Sequence, residues 1–167
     1  MAQARARIEL ILRDRFEDAG VEPPKVGAAT VVDLADRLRD ESGAHWLTSP
    51  EDLAAALGIS VRDGEPPDDI DVVTLPGRII VRAGLDERER GLMVLCGIAR
   101  LWLADVFGRH SSSDVVLLAA EIAAPAGFVL RRGVAPLLER QRHLPAWFLR
   151  ACERSIVGPP SSQIVGR

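Results

Sequence analysis

Two cysteines, Cys96 and Cys152, and three histidines, His45, His110 and His143, are the whole supply of thiol and imidazole ligands in 167 residues. No zinc ribbon, disulfide framework or multi-histidine cluster can be assembled from them. One trio has usable chemistry: His110 and Asp114 lie four residues apart, and with Cys96 on the preceding helix they could hold zinc. His110 nevertheless sits in a glycine-flanked turn beside three serines, where it reads as a solvent-facing loop residue. Cys96 could instead be a nucleophile with a distant histidine as base. Its apolar helical setting offers neither a helix N-terminus nor a neighbouring cation, so it reads as a small core residue, and Cys152 reads the same way. Asp68, Asp69 and Asp71 form an acidic loop cluster able to take Ca²⁺, but without EF-hand spacing a solvated turn fits better. There is no glycine-rich phosphate loop, Ser-His-Asp order or recognisable pair of catalytic carboxylates.

The elements that would position these groups are legible from periodicity and punctuation. Residues 3–19 place Ile8, Ile11, Leu12 and Phe16 on one helical stripe that ends at Gly20. Residues 1–20 therefore read as an N-terminal helical arm, 21–29 as a proline-containing linker, 30–157 as the main domain and 158–167 as a loose tail. Thr30 reads as an N-cap for a helix to about Glu41 that buries Val31, Leu34, Ala35 and Leu38. Ser49-Pro50-Glu51-Asp52 is a strong helix start, and Gly58 closes that short helix. Ile59–Val61, Val72–Leu75 and Arg78–Ala83 read as strands, the last two joined by a type II turn at Pro76-Gly77. They predict a small antiparallel sheet.

Asp86 and Glu89 have capping-box spacing ahead of the apolar segment Gly91–Phe107. There Leu92, Leu95, Cys96, Ala99, Leu103 and Val106 follow a helical period. Met93, Val94, Ile98 and Trp102 make the opposite face apolar as well, which predicts a buried central helix. A further apolar helix runs from Val115 to Ala124 and stops at Pro125. Two amphipathic helices follow, near Val134–Gln141 and Pro145–Ile156.

Composition bounds the class. With 47% apolar and 27% charged residues the chain suits one compact domain and is too apolar for disorder. No run reaches the roughly 18–20 apolar residues of a membrane span, and the charged MAQARARIELILRDR is not built as a signal peptide, so the expectation is a cytoplasmic protein. The basic residues are 20 Arg to one Lys, with no Asn or Tyr, a bias that reflects genome composition rather than chemistry. The net charge of −3 divides unevenly, because residues 131–167 carry seven Arg against Glu139 and Glu153. Arg131, Arg132, Arg140 and Arg142, with Trp147 and Phe148, form a candidate partner surface. The competing reading is a solvated helical face with the two aromatics packed inward.

From about Val31 to Val157 the order of elements resembles the ImmA/IrrE-like metallopeptidase family. The likeness is carried by EDLAAALGISV (51–61), GRIIVRAGLDERER (77–90), LMVLCGIARLWL (92–103), LLAAEIAAP (117–125) and HLPAWFLRACERS (143–155). It implies an α+β, zincin-like fold, mostly helical, whose central helix bears HEXXH. Two histidines at i and i+4 share a helical face and grip one Zn²⁺, and the intervening glutamate activates its water. A downstream acid before the family's proline supplies the third ligand. Here the motif is gone. Aligning on Arg90 puts Leu95, Cys96 and Ala99 at the histidine, glutamate and histidine positions; a shift of one residue puts Cys96, Gly97 and Arg100 there instead. Counting back from Pro125 places Ser112 at the third-ligand position, and a two-residue offset places Asp114. Leucine and alanine offer no lone pair, and a permanently protonated arginine repels a dication. Glu121, where the family often carries an acid, reads as structural.

The resemblance thus implies the scaffold, while its departures imply loss of zinc and of catalysis. The leading reading is an inactive pseudopeptidase that binds a protein partner, of the repressor type that active relatives act on in mobile-element control and stress responses. Three others stand beside it: an active peptidase with an atypical metal site, a nucleic-acid-associated regulator using the Arg-rich C-terminal region, and a structural subunit docking through its N-terminal arm. No oligomeric state follows from the sequence.

Overall fold

Helix α1 (Ala28–Ser42) turns Val31, Leu34, Ala35 and Leu38 inward at i, i+3, i+4 and i+7, each at most 3% exposed. The computed structural model describes residues 28–45, 47–67, 70–107 and 112–157. The arm 1–20, linker residues 21–27, Trp46, Asp68, Asp69, His110 and the tail 158–167 lie outside the described residues. Thr30 is not the cap: it lies within the helix, which already includes Ala28 and Ala29. Helix α2 (Pro50–Ala56) starts as expected, with the Asp52 amide donating to Ser49 Oγ at 3.1 Å and Pro50 at the first helical position. It stops at Gly58, whose φ of +73° suits a residue without Cβ. Ser49→Ala should lower stability by about 1 kcal/mol, read as a shift of the urea midpoint with unchanged slope; no shift would mean that water replaces the cap.

Strands β1 (Ser60–Gly64), β2 (Val72–Leu75) and β3 (Arg78–Arg82) form one sheet in the order β1-β3-β2. The expected antiparallel sheet is in fact mixed. β2 and β3 make the antiparallel hairpin, with Gly77 at φ +68° in its turn, but β1 runs parallel to β3, Val61 opposite Ile79. Pairing partners are set by where a connection lands, and segment 65–71 carries β2 to the far edge. Arg82 fastens that segment, its guanidinium donating to the Pro66 and Ile70 carbonyls at 3.0 and 2.7 Å and pairing with Asp71 at 3.2 Å. Of the acidic cluster, Asp71 is therefore engaged by an arginine. The central strand β3 buries alternate residues, Ile79 and Val81, under the next helix.

That helix, α3 (Glu87–Phe107), packs on β2, β3, α2 and α4. Asp86 caps it by accepting from the Arg88 and Glu89 amides at 2.9 and 3.1 Å. The Glu89 carboxylate takes the Trp147 indole N–H at 3.0 Å. Arg90 pairs with Glu51 of α2 at 2.6 Å and with Asp63 of β1, tying three elements at the helix entrance. Every residue from Gly91 to Ala99 is buried, so the expected central helix is there. Val106 is not in its buried stripe: it is 40% exposed, because the helix runs past the core after Leu103. Helix α4 (Ser112–Ala123) lies against α1 and α3. A helix absent from the sequence reading, α5 (Ala126–Arg132), then starts directly after Pro125 and ends at Gly133, φ +73°. Proline that ends one helix also suits the start of the next. Helices α6 (Ala135–Arg140) and α7 (Ala146–Val157) complete seven helices among the described residues, a mostly helical α+β fold.

Candidate functional site

The positions that the resemblance would align with an HEXXH motif lie in the middle of α3. Leu95 is 2% exposed, Cys96 and Ala99 are fully buried, and all three belong to the main hydrophobic core. Leu95 borders a cavity of about 10 Å³ shared with Leu38, Leu53, Ile122, Gln141 and Leu144, room for one water molecule at most. In the other register Gly97 is pressed against Ile79, whose side-chain carbons would lie 2.9–3.1 Å from an added Cβ. Arg100 is half-buried and Asp114 fully buried, and both already interact with other groups. Neither register offers a donor set that suits zinc, and no metal-dependent step is derived. Among the described residues no group of three or more His, Cys, Asp or Glu is arranged to hold a metal ion. The His110–Asp114–Cys96 trio and the side chain of Ser112 fall partly or wholly outside those residues.

The other ligand types are held by local structure. His45 Nδ1 accepts from the Leu47 amide at 3.1 Å, and the His143 amide donates to buried Gln141 Oε1 at 2.9 Å. Cys96 and Cys152 are free thiols at 0% exposure. Burial, and then the Cys96 thiol nearby, hold the Cys152 pKa far above the ordinary thiol range, so Cys152 is a neutral core side chain rather than a nucleophile.

Glu121, on α4, has a structural task. Its Oε2 accepts from the Ala126 amide at 3.2 Å at the start of α5, and its carbonyl accepts from Arg39 of α1. Burial raises its pKa, opposed by the Ala126 hydrogen bond and by Arg39. The folded state then binds the proton more tightly than the unfolded one. Its contribution to stability is present below the ordinary glutamate pKa and is lost as pH rises through the raised value. Glu121→Gln keeps an acceptor for Ala126 and should flatten that slope in urea titrations at several pH values; an unchanged slope would assign it to other groups.

An open groove lies beside the second half of α3. It measures about 550 Å³ and is walled by Leu57, Ile59, Leu75, Arg100, Trp102 and Asp105, where the end of α2 and the Pro76-Gly77 turn face the helix. Leu75 is 44% exposed there. Trp102 is half-buried rather than part of the core, and its Nε1–H is shielded from solvent with no acceptor among the described residues. An unsatisfied buried donor costs about 1–3 kcal/mol. Apolar periodicity marked Trp102 for the interior, but no sequence signal reports that its N–H lacks a partner.

The C-terminal candidate surface divides. Arg131, Arg132, Arg140 and Arg142 are exposed; Arg131 Nε bonds the Gly127 carbonyl of its own helix at 2.9 Å. Phe148 is corrected: it is fully buried and cannot meet a partner. Phe148, Leu149 and Cys152, at i, i+1 and i+4, form the inward face of α7, and that period, rather than the neighbouring arginines, decides the matter. Trp147 is half-buried, edge-on to Phe148 with ring centroids 6.1 Å apart, and bonded to Glu89.

Fold and site together define an α+β domain whose central helix is filled with apolar side chains and flanked by an open groove. Compared with family models, with curated proteins and with solved structures, the chain matches none of them. No helix among the described residues is long and apolar enough to cross a membrane.

Proposed function

We propose that this chain is a metallopeptidase-like scaffold without peptidase chemistry, a cytoplasmic regulatory module that binds a protein partner. The observation that carries the reading is the complete burial of Leu95, Cys96 and Ala99 in the hydrophobic core. Under the ImmA/IrrE-like resemblance these are the ligand and general-base positions. A metal pocket that loses its ion leaves buried polar groups at a cost of several kcal/mol, and refilling it with apolar side chains removes that cost. What remains for function is surface, and the open groove walled by Leu57, Leu75 and Trp102 is the part of it that offers apolar side chains in a concave site. A repressor-type regulator is the partner that the resemblance suggests.

Three measurements test this. Elemental analysis of protein purified without an affinity tag should find zinc far below one per chain; near-stoichiometric zinc would overturn the reading. Trp102→Phe should leave stability within about 1 kcal/mol of the parent, since it deletes a donor that has no acceptor among the described residues. A partner that co-purifies with the parent from its native host should be lost from Trp102→Phe and from Leu75→Asp. Equal retention by both variants would remove the groove from the proposal.

A further inference from the structure

The helices after α4 carry a charge opposite to that of the residues before it. Residues 28–107 hold eight arginines against fifteen acids, whereas residues 126–152 hold five arginines against Glu139 alone. Helices α5 and α6 both pack on α7, so this excess belongs to one folded unit. Arg131, Arg132, Arg140, Arg142 and Arg150 are all exposed. In the acidic part, Arg39, Arg82 and Arg90 each pair with a carboxylate. None of the five holds an ion pair among the described residues, where Arg131 donates to the Gly127 carbonyl of its own helix.

We infer that this unit is a second binding surface, separate from the groove at Trp102, and that its partner is the phosphate backbone of double-stranded nucleic acid, held without reading its sequence. Charge complementarity carries the choice. Five unneutralised guanidinium groups favour the polyanion of highest linear charge density, and a duplex presents one charge per about 1.7 Å of its axis. Guanidinium groups also match phosphate oxygens in bidentate pairs. The acidic remainder of the chain is repelled by the same duplex, which turns the arginines toward it.

The other occupants of a basic surface need groups that this one lacks. A bilayer anchor requires an apolar face to insert, and Leu130, 66% exposed, is the only large apolar side chain so open among the described residues 126–152. An acidic protein is gripped through aromatic anchors inside a polar rim, but Phe148 is fully buried and Trp147 is committed to Glu89. The same two facts remove a stacking platform for single-stranded bases. Helices α5 and α6, of seven and six residues, are only about 9–11 Å long. They are too short to lay a row of side chains along base edges, so contact stays with the backbone.

Fluorescence anisotropy of the full chain with two labelled DNA duplexes of unrelated sequence tests this. Both should bind equally, and with four phosphate contacts the affinity should fall by roughly 10³–10⁴-fold between about 20 and 200 mM salt. Arg131→Gln with Arg132→Gln, or Arg140→Gln with Arg142→Gln, removes two contacts and should reduce that fall to about 10²-fold. Arg62→Gln with Arg78→Gln, which neutralises two exposed arginines of the sheet, should change nothing. Circular dichroism confirms that each variant is folded. Absence of binding at the lowest salt, or binding that is indifferent to the C-terminal substitutions, would overturn the proposal. Phosphatidylserine vesicles or poly-glutamate that displace the duplex at equal total charge would overturn it in favour of a membrane or an acidic protein.

Discussion

Gly91→Ala should destabilise the protein by about 3 kcal/mol or more, although alanine in a helix interior is otherwise favoured over glycine by about 1 kcal/mol. A Cβ added at Gly91 would lie 1.9 Å from the His143 carbonyl oxygen, where carbon and oxygen normally stay roughly 3.3 Å apart. The obstacle is backbone and cannot rotate away. Either α3 or the segment before α7 must shift by more than an ångström, and that segment carries buried Gln141 and Leu144 and leads into Phe148. Gly97→Ala supplies the contrast. Its Cβ would meet Ile79 side-chain carbons at 2.9–3.1 Å, the nearest being a terminal methyl that can turn, so a smaller loss is expected. Urea unfolding of the two variants ranks them directly, and a Gly91→Ala protein as stable as the parent would refute the close approach of α3 to the segment before α7.

Installing an HEXXH-type motif, as Leu95→His with Cys96→Glu and Ala99→His, should remove most of the stability without creating a zinc site. Each buried polar group left without a partner costs about 1–3 kcal/mol, and enlarging fully buried Ala99 and Cys96 adds overpacking of similar size. The sum approaches the 5–15 kcal/mol that holds a typical domain together. Zinc would repay this only by binding the folded form tightly. Beside Leu95 the cavity is about 10 Å³, and Asp114, the acid nearest the third-ligand position, is buried and already engaged. The expected result is a low, zinc-independent Tm. A Tm that climbs with added zinc, with one ion bound per chain, would show that the metal geometry survives and that the packing account is wrong.

These two substitutions also separate what could be read along the chain from what could not. The Ser49 and Asp86 caps, the inward face of α1, the Pro76-Gly77 turn and the burial of Gly91–Ala99 in α3 follow from contacts within a few residues. Local hydrogen bonds and side-chain periodicity encode such features, so the residue string carries them. The parallel pairing of β1 with β3 was not legible, because register between strands depends on which edge the 65–71 connection reaches. Phe148 was legible in principle: its spacing from Leu149 and Cys152 outweighs the arginines around it. The meeting of Glu89 with Trp147, 58 positions apart, left no trace in the sequence.

By itself the sequence determined that no histidine occurs between Leu92 and Leu103, so this stretch of α3 cannot carry an HEXXH pair. Side-chain chemistry is a property of residue type and needs no coordinates. Only the tertiary structure decided what those positions do instead, which is to fill a core almost without space around Leu95. It also decided which surfaces stay open: the groove at Trp102, and an acidic groove beside Val106 and Phe107. Exposure and hydrogen-bond satisfaction are relations between distant segments, fixed only when α3, the sheet and the flanking helices come together.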